Sequence, residues 1–404
     1  MNNILYFDIE TNGLSDFSRL SDVECIHSLV IIDGDDNVYK YRQSNIKEAL
    51  YLLEKAYAIV GHNSIGFDYP VLNKLYGFKH GRVYDTLTMA RCIYPDLFQA
   101  TFANQPTDIK SHSLKAWGQR LGVHKDNHGE TEDWSQWSPE LEAYCVQDVV
   151  VTKKLYEFLM KREPSQQMLD LEHRFAREMR RQEYNGFPFD LENAEKLVAD
   201  LMITRQKLHQ EFQEMFPPKI ETLKSHWYTN SMGDNFPTKK SMIEVGYKPS
   251  EIFKGDPKQK EIPFNPNSRD QICEHLMNRG WKPKAYEGKR PSINEGVLKE
   301  IGTPEALKLC EYLLLTKRLG QIAEGNQAWL KLEKDGVIHG RVNTNGTVSG
   351  RCSHNNPNVA QVPAVRAPYG KECRSLFKAP LGKVLVGCDA SGLELRCLAH
   401  YLST

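Results

Sequence analysis

Two acids near the start of the chain have the types and spacing of ligands for a divalent metal ion. Asp8 and Glu10 lie two residues apart, directly after the apolar run Leu5-Tyr6-Phe7. Residues two apart on a β-strand project from the same face, so the two carboxylates repel each other unless a cation lies between them. Taken alone, such a pair is more often two solvated acids at the end of a strand. It predicts a metal site only together with further acids.

Two more acids follow at places where helices would present them. Asp68 comes after the segment Gly61-His62-Asn63, which ends a short apolar strand. Tyr144 and Asp148 lie four residues apart in a long helical pattern and therefore share one helix face. Read singly, Asp68 is equally well explained as a helix cap, and Tyr144 with Asp148 as a buried tyrosine beside a surface acid. A phenol hydroxyl beside a carboxylate can, however, align a water molecule at a metal site.

In their order along the chain, these elements resemble the DEDDy group of 3′→5′ exonucleases, whose domains have an RNase H-like fold. The resemblance covers about residues 1–160 and consists of Asp-x-Glu, Asn-x-x-x-x-Asp and Tyr-x-x-x-Asp. It implies two Mg²⁺ ions, for which Mn²⁺ can substitute, and a water molecule oriented by Tyr144. The implied metal ligands are Asp8, Glu10, Asp68 and Asp148. Asn63 and Leu14 are weaker candidates, for contact with the terminal nucleotides.

Two-metal chemistry explains why these residues are carboxylates. Two divalent ions about 4 Å apart stabilise both the attacking and the leaving oxygen of a phosphodiester, and one of them lowers the pKa of the attacking water. Mg²⁺ is a hard ion that prefers carboxylate oxygen and keeps several waters. The reaction that the resemblance implies is the release of 5′-mononucleotides from a 3′ end.

A second set of functional residues is expected near residue 390. The segment Val384–Leu402 begins as an apolar, strand-like run and reaches an acid at Asp389. Its residue order resembles motif A of family A (Pol I-type) DNA polymerases, most closely that of the phage members. The resemblance implies that Asp389 is a polymerase metal ligand. It also implies that Ala390 and Glu394 contact the incoming nucleotide, with Glu394 excluding ribose.

The stretch before motif A resembles the primer–template-binding segment of the same family. It contains Ser349-Gly350-Arg351 and the run 355–363, and it is rich in Asn and Gly. Over residues 339–378 six Lys or Arg stand against one acid, which suits contact with phosphates. A basic surface loop is the alternative. By the resemblance, the residues that contact the primer–template are Arg351, Asn358 and Gln361.

The elements that must position the first four acids alternate between strand and helix, which predicts a sheet flanked by helices. The strands are predicted at residues 4–8, 25–32, 38–41 and 57–60, and the helices at 46–55 and 139–160. Together with the resemblance, this predicts an α/β RNase H-like exonuclease domain over residues 1–163.

Beyond residue 163 the pattern becomes mainly helical. A helical, thumb-like region is predicted over residues 164–339, followed by the beginning of an α+β palm over 340–404 that contains motif A. The helices of the thumb-like region are predicted at 166–185, 191–216, 268–279 and 304–333, with Ser268 as a cap.

Residues 217–263 lack sustained periodicity and are rich in Pro, Gly, Asn and Lys, which predicts an irregular insertion or long loop. In phage members of the family, a loop at this place binds host thioredoxin. The resemblance therefore implies thioredoxin as a candidate partner. A solvated variable loop is the alternative.

The composition excludes several other classes of protein. The formal net charge is zero, and the nine cysteines are scattered without a Cys-x-x-Cys pair, so a structural zinc site is not expected. No run of eighteen apolar residues exists, and the start of the chain enters a strand without a secretion signal. The expected location is the cytoplasm, which for a phage protein is that of the host cell.

The resemblance also indicates what this sequence does not contain. The fingers helix of the family and its second catalytic Asp belong beyond motif A, so this chain alone is not expected to extend a primer. The expected partners are a single-stranded 3′ end, a primer–template and a second polypeptide that carries the missing parts. A stand-alone 3′→5′ exonuclease and a non-catalytic DNA-binding module of a split polymerase are the alternative interpretations. Motif A favours the polymerase over the stand-alone nuclease.

Overall fold

The structure is a computed structural model, and it describes most of the chain with its side chains. The described residues are 3–13, 20–100, 102, 104, 110–123 and 136–403. Leu14, a candidate for contact with the terminal nucleotides, lies outside them. None of the helices within these ranges combines the length and the apolar character needed to cross a membrane.

The chain forms two compact units whose limits differ from those of the predicted domains. The first unit comprises Met1–Asp190 and Leu332–Thr404, and the second comprises Leu191–Lys331. The helix over residues 166–185, predicted to open the thumb-like region, thus belongs to the first unit. The reason is its packing, because Leu169 of this helix is buried in a core of the first unit. The functional division at residues 163 and 339 remains a prediction.

The first unit is built around a five-stranded mixed sheet. Its strands are β1 (Ile4–Thr11), β2 (Ile26–Ile32), β3 (Val38–Arg42), β4 (Ala58–Gly61) and β5 (Val83–Asp85). They lie in the order β3-β2-β1-β4-β5, with β1 at the centre. The β1–β2 and β2–β3 pairs are antiparallel, whereas β1–β4 and β4–β5 are parallel. The four predicted strands are confirmed, and β5 is an addition to them.

Helices cover both faces of this sheet. They are α1 (Ile46–Lys55), α2 (Asp68–Tyr76), α3 (Thr86–Ile93), α4 (Leu114–Arg120) and α5 (Pro139–Met160). One core joins the sheet to α1 and α2, and the other joins it to α3, α4 and α5. The predicted helices over residues 46–55 and 139–160 are confirmed as α1 and α5.

The alternation of side chains along β1 decides which helices its acids face. Leu5, Phe7 and Ile9 belong to the core under α1 and α2, whereas Tyr6 belongs to the core under α5. Because the side-chain period of a strand is two residues, Asp8 and Glu10 lie on the Tyr6 face. The sheet therefore turns both acids toward α5.

Two long helices follow along the chain, α6 (Gln166–Asn185) and α7 (Leu191–Met215), with the short strand β6 (Phe187–Pro188) between them. Both helices agree with the predicted bounds to within one residue. Leu201, Leu208 and Phe212 of α7 are buried, as expected of an amphipathic helix that packs through one face.

Residues 217–263 are ordered, and the prediction of an irregular insertion is wrong. They form β7 (Lys219–Thr229), β8 (Asn235–Phe236), α8 (Lys239–Glu244) and β9 (Phe253–Ile262). β7 pairs antiparallel with both β8 and β9, so the three make a small sheet. Most side chains of β7 and β9 are exposed and many are charged, so neither strand has the apolar alternation that predicts a strand.

The rest of the second unit is mainly helical. Its elements are α9 (Arg269–Asn278), β10 (Tyr286–Glu287), β11 (Arg290–Pro291), α10 (Glu295–Ile301), α11 (Pro304–Leu319) and α12 (Trp329–Leu332). Ser268 caps α9 as predicted, because its Oγ accepts a hydrogen bond from the backbone N–H of Gln271. The helix predicted over residues 304–333 is interrupted by a π-helical turn at Gly320–Glu324. Glycine at the start of this turn lowers the helix propensity.

The chain then returns to the first unit. The elements here are β12 (Glu333–Lys334), β13 (Val337–Ile338), β14 (Arg341–Asn343), β15 (Ser353–Asn355), α13 (Gly370–Ser375) and α14 (Leu393–Ser403). β13 pairs with β12 and β6, and β14 pairs antiparallel with β15. The backbone N–H of Val342 in β14 donates to Oε1 of Glu183 in α6 at 2.5 Å, which ties the β14–β15 hairpin to that helix.

The strand predicted from Val384 to Asp389 is absent, and this prediction is wrong. These residues have no regular secondary structure, and Val384 and Val386 are more than four-fifths exposed. A strand needs a neighbour that satisfies its backbone groups, and among the described residues none pairs with this segment. Motif A therefore lies on an exposed, irregular stretch followed by α14.

Gly186, which links α6 to β6, should be intolerant of a side chain. Its φ of 63° and ψ of −172° lie in a region that almost only glycine occupies. A Cβ there would lie 2.4 Å from Cγ1 of Val337 and 2.9 Å from the carbonyl oxygen of Ile338. We expect Gly186→Ala to lower the free energy of unfolding by about 3 kcal/mol or more.

The matched control for this substitution is Gly77→Ala. Gly77 also has a positive φ, of 68°, but nothing lies within 4 Å of its added Cβ. We expect it to cost about 1 kcal/mol, because it carries only the penalty of the left-handed conformation. Urea unfolding followed by circular dichroism measures both. Equal losses would contradict the close approach of β13 to Gly186.

Candidate metal centre

The two acids of β1 lie together with a cysteine of α5. One carboxylate oxygen of Asp8, one of Glu10 and the Sγ of Cys145 all lie within 4.8 Å of one another. Glu10 and Cys145 are buried, and Asp8 is half-buried. Ligand atoms at these separations can surround a single ion. The spacing predicted from the strand period is thus present in the fold.

Asp68 is held against β1 by a backbone hydrogen bond. Its Oδ1 accepts from the N–H of Ile9 at 3.2 Å, and Ile9 lies between Asp8 and Glu10. Asp68 is the first residue of α2, whose N-cap is Phe67, so the alternative interpretation of Asp68 as the cap does not hold. The bond instead fixes the third acid beside the first two.

Asp148 and Tyr144 lie one turn apart on α5. Asp148 is buried and Tyr144 is half-buried. Burial raises the pKa of the Cys145 thiol well above its usual value, and four negative charges raise it further. Those charges belong to Asp8, Glu10, Asp148 and Asp68. The charges of all four predicted acids therefore act on one buried thiol, but the group of potential ligand atoms around its Sγ contains Asp8 and Glu10 and neither Asp68 nor Asp148.

The crowding of carboxylates is visible in Asp68. Burial is the main cause that raises the pKa of Asp68 from 3.8 to about 7, and the charges of Asp85 and Asp148 act in the same direction. The hydrogen bond from Ile9 opposes this shift. A cation among these groups would favour the charged form and offset the cost of burying it.

Cys145 was not predicted as part of the site. Its Sγ donates to the backbone carbonyl of Asp8 at 3.5 Å and lies 3.8 Å from the Oδ2 of the same residue. The raised pKa keeps the thiol protonated, and Mg²⁺ prefers oxygen to sulfur. Cys145 therefore packs beside the acids as a small hydrogen-bond donor and is a poor ligand for a hard ion.

Asp85 is a second residue that the sequence analysis missed. It ends β5 and caps α3, and it is buried. Its Oδ1 accepts from the N–H of Asn63 at 3.0 Å, and its Oδ2 accepts from that of Ile65 at 3.0 Å. Asn63 has a positive φ of 57°. Asp85 thus fixes the turn that leads into Asp68. The signal that could have identified it is its position as an acid between a short apolar run and the start of a helix at Thr86, which is typical of an N-cap.

The same network reaches α6. The backbone N–H of Asp85 donates to Nε2 of His173 at 2.8 Å, so Nδ1 carries the proton and donates to the carbonyl of Leu169 at 2.6 Å. Burial lowers the pKa of His173, which favours this neutral form. α6 therefore braces the end of β5 from outside the sheet.

Of the candidate residues for DNA contact, Asn63 lies in the turn before Asp68. Asn63 lines a small cavity of about 60 Å³ with Arg91, Arg180 and Arg341. Arg351 is exposed, and its Nη2 lies 3.5 Å from Oε1 of the exposed Glu394. Asn358 is half-buried and directly precedes a short 3₁₀ turn, and Gln361, the last residue of that turn, is exposed.

Besides Arg351, two more of the six cations over residues 339–378 make internal contacts. Lys378 forms an ion pair with Asp190, and Nε of Arg374 donates to the carbonyl of Pro363 at 2.8 Å. These side chains hold the fold together and are less available to phosphates than the sequence suggests. Arg341, Arg366 and Lys371 have no comparable contact with the described residues.

The motif A residues do not form a comparable cluster. Asp389, Ala390 and Glu394 are exposed. Among the residues that the structure describes, the one group of three side chains able to ligate a metal contains Asp8, Glu10 and Cys145. Asp389 is therefore not joined by other potential ligands within the described part of the chain.

Comparisons with known proteins agree with this layout. DNA polymerase family A matches residues 247–404, and the RNase_H superfamily matches residues 5–160. The DNA-directed DNA polymerase of Escherichia phage T7 is 34% identical over 98% of this chain and 69% of its own length. That of Enterobacteria phage T3 is 34% identical over 99% of this chain and 70% of its own length. The chain belongs to DNA polymerase family A.

A solved structure supports the fold of this family A polymerase. The POL domain of Pol1 from M. smegmatis, in a complex with DNA primer-template and dNTP, superposes with a TM-score of 0.62 at 16% identity. The match covers 93% of this chain and 56% of the chain in that structure, so this chain spans just over half of the length of its solved relative. The predicted family, the RNase H-like domain at the start and the helical region consistent with a thumb are confirmed.

Metal binding to the four acids should depend on pH through Asp68. Because its pKa is raised to about 7, a proton competes with the metal below that pH. We expect the Mn²⁺ affinity to fall by up to about tenfold per pH unit below 7 and to level off above it. Titration of Mn²⁺ by electron paramagnetic resonance between pH 5.5 and 8.5 measures this. Asp68→Asn should bind more weakly at pH 8 and show a flatter profile, and a flat wild-type profile would contradict the assignment.

Substitution of Cys145 tests whether this residue is a ligand of the metal ion or only a neighbour of the ligands. We expect Cys145→Ala to keep the Mn²⁺ affinity within about threefold, because hard ions bind the carboxylates. The affinity for Zn²⁺, which accepts thiolate ligands, should fall by about tenfold or more. Isothermal titration with both ions measures the contrast. A large loss of Mn²⁺ affinity would make Cys145 a ligand of the hard ion as well.

Proposed function

We propose that this chain is the 3′→5′ proofreading and primer–template-binding part of a replicative phage-type DNA polymerase. The observation that supports the proposal is that Asp8 and Glu10 lie together beside Cys145, with Asp68 bound to the backbone of Ile9 between them and Asp148 on the same helix as Cys145. The relatives from phages T7 and T3 are DNA-directed DNA polymerases, which supports a substrate of DNA. The reaction proposed for the site is hydrolysis of the phosphodiester at a 3′ terminus.

The donor set fits two Mg²⁺ ions. It consists of carboxylates only, three of them buried. Burial, with the charges of Asp85 and Asp148, raises the pKa of Asp68 to about 7, and a cation there would favour its charged form. The residues that would hold the ions are Asp8, Glu10, Asp68 and Asp148. When bound, the ions stabilise charge on the attacking and leaving oxygens.

The residues of the chain have separate tasks in this reaction. The Tyr144 hydroxyl orients the attacking water, whose oxygen forms a bond to phosphorus while the bond from phosphorus to O3′ breaks. The water gives up a proton to solvent and the leaving O3′ takes one up from solvent, so the products are a 5′-mononucleotide and a shortened strand with a new 3′-hydroxyl. Asp85 keeps the turn at Asn63 in place, so that Asn63 can contact the terminal nucleotide. The backbone of Ile9 holds Asp68.

The motif A segment does not form a metal group among the described residues. Asp389 lies on an exposed segment and has no second acid of a metal group beside it among the described residues. We therefore propose that this chain does not extend a primer by itself. The fingers and the second catalytic acid, on the same protein or on a second polypeptide, would cover the apolar side chains of Val384 and Val386.

The primer–template contacts are proposed for the same region. Arg351, Asn358 and Gln361 would contact the duplex, and Ala390 and Glu394 the incoming nucleotide once the centre is complete. Host thioredoxin stays a candidate partner for the sheet of β7, β8 and β9, which exposes Ile220 and Phe253. Absence of co-purification after mixing would argue against that partner.

The test of the nuclease is stepwise digestion of 5′-labelled single-stranded DNA in Mg²⁺. We expect wild-type protein to shorten the strand from its 3′ end. Asp8→Ala combined with Glu10→Ala should slow this by about 10³-fold or more, because the ions lose two ligands. Denaturing gels read out the ladder of products.

The chain offers a control with the same pattern. Asp22 and Glu24 are also an Asp-x-Glu pair, but both are exposed. Asp22→Ala combined with Glu24→Ala should digest DNA at the wild-type rate. Equal digestion by the Asp8 and Glu10 double variant would remove the site assignment. A stand-alone exonuclease, the second candidate, is disfavoured because DNA polymerase family A matches residues 247–404.

A further inference from the structure

A groove on the first unit is lined by five cations and two tyrosines together with Leu20, Ile65, Pro70 and Asn73, and none of the four acids of the candidate metal centre lines it. It has a volume of about 480 Å³ and lies between α2 and α6. Tyr69 of α2 and Tyr184 of α6 line it. Its cations are Lys74, Lys79, Arg177, Arg180 and Arg181. No acidic side chain is among its described lining residues. We call it the basic groove.

Two of the five cations have a structural task. Nζ of Lys74 donates to the backbone carbonyls of Leu20 and, at 2.9 Å, of Val23. Nη1 of Arg180 lies 3.2 Å from Oε2 of Glu183, and both side chains are largely buried. These two cations therefore stabilise the fold around the groove and are not free for a ligand.

The other three cations are available. Arg177 forms no hydrogen bond or ion pair with any residue in the described part of the chain, although its Nε is shielded from solvent. A half-buried guanidinium without an acceptor is costly, and an anion would relieve that cost. Lys79 is exposed, and Arg181 lies 3.4 Å from the exposed Glu178, a surface pair of small energetic value. Three positive charges thus remain for an anionic ligand.

The walls of the groove indicate the class of ligand. Tyr184 is 46% exposed and offers an aromatic surface beside the arginines of α6. The groove combines cations from α6 and from the region of α2 with two tyrosines. Such a combination suits a single-stranded polynucleotide, whose phosphates need charge and whose bases stack.

The groove is also connected to the metal centre through the fold. Tyr69 directly follows Asp68 on α2. Ile65 lines the basic groove and also the small cavity that contains Asn63. A polynucleotide bound in the groove would therefore contact the same helix and turn that hold the third acid.

We propose that the basic groove binds a single-stranded polynucleotide. Lys79, Arg177 and Arg181 contact its phosphates, and Tyr184 stacks on a base. The proposal rests on the proposed nuclease function in one respect, that the bound strand is the one whose 3′ end is hydrolysed. The groove is thus a second contact for the substrate, outside the four acids.

Binding is tested by fluorescence anisotropy of a labelled 20-nucleotide single strand in EDTA. The groove variant combines Lys79→Ala, Arg177→Ala and Arg181→Ala. We expect its Kd at low salt to rise by about tenfold or more. The slope of log K against log salt should shrink by about two, because three phosphate contacts are lost. Wild-type affinity and slope in this variant would overturn the proposal.

The matched control removes the same charge from the same unit. Lys47, Lys55 and Lys161 are exposed and lie outside the groove. Their combined change to Ala should alter the Kd by less than about twofold, as expected for cations without phosphate contacts. An equal loss of affinity in this control would show that binding depends on net charge and not on the groove, and it would overturn the assignment.

Stacking is tested separately at Tyr184. Tyr184→Ala should weaken binding of the 20-nucleotide strand by about fivefold or more, and Tyr184→Phe should restore it, because the ring and not the hydroxyl stacks. A blunt duplex of the same length should be insensitive to both changes. An equal loss for the duplex would overturn the assignment to a single strand.

Hydrolysis distinguishes this proposal from the proposed function. In Mg²⁺ the groove variant should raise KM for the 20-nucleotide strand and leave kcat unchanged, whereas a dinucleotide should be cleaved at the wild-type rate. Unchanged KM for the long strand would overturn the groove and leave the nuclease standing. If wild-type protein cleaves neither substrate but the groove variant still loses affinity in EDTA, the nuclease fails and the groove stands.

Discussion

Mutual repulsion of carboxylates is the constraint on which the first unit depends. Three buried acids and one half-buried acid lie around the thiol of Cys145, and their charges oppose one another. The fold holds them there with bonds from the backbone, such as that from Ile9 to Asp68. Burial and the neighbouring charges raise the pKa of Asp68. Perturbed carboxyl groups of this kind cluster at functional sites, which is why the arrangement points to function.

The architecture around the acids serves to position them. β1 is the central strand, so Asp8 and Glu10 are held by neighbours on both sides, and the period of two residues turns both toward α5. Asp85 orders the turn before Asp68, and His173 braces Asp85 from α6. Helix α6 thus braces the candidate metal centre, and the hairpin of β14 and β15 is tied to the same helix through Glu183.

The region of motif A differs from the four acids in its exposure to solvent. Its side chains are exposed and Asp389 has no partner acid among the described residues, although family membership is clear from the comparisons. A polymerase centre needs a sheet that buries its apolar strand and a second acid that shares the metal. The candidate metal centre, by contrast, is assembled from residues within one compact unit. Among the described residues, the two regions therefore differ in how many potential metal ligands they bring together.

The sequence by itself determined the acids and most of the elements of the first unit, because an apolar alternation or a helical period reports local burial. Only the tertiary structure decided what depends on distant partners. β7 and β9 form a sheet although their side chains are exposed, since pairing is a property of the backbone. Cys145, Asp85 and the cations of the basic groove became significant through neighbours far away in the chain. The strand predicted at Val384 failed for the same reason, because a strand without a neighbour cannot satisfy its backbone.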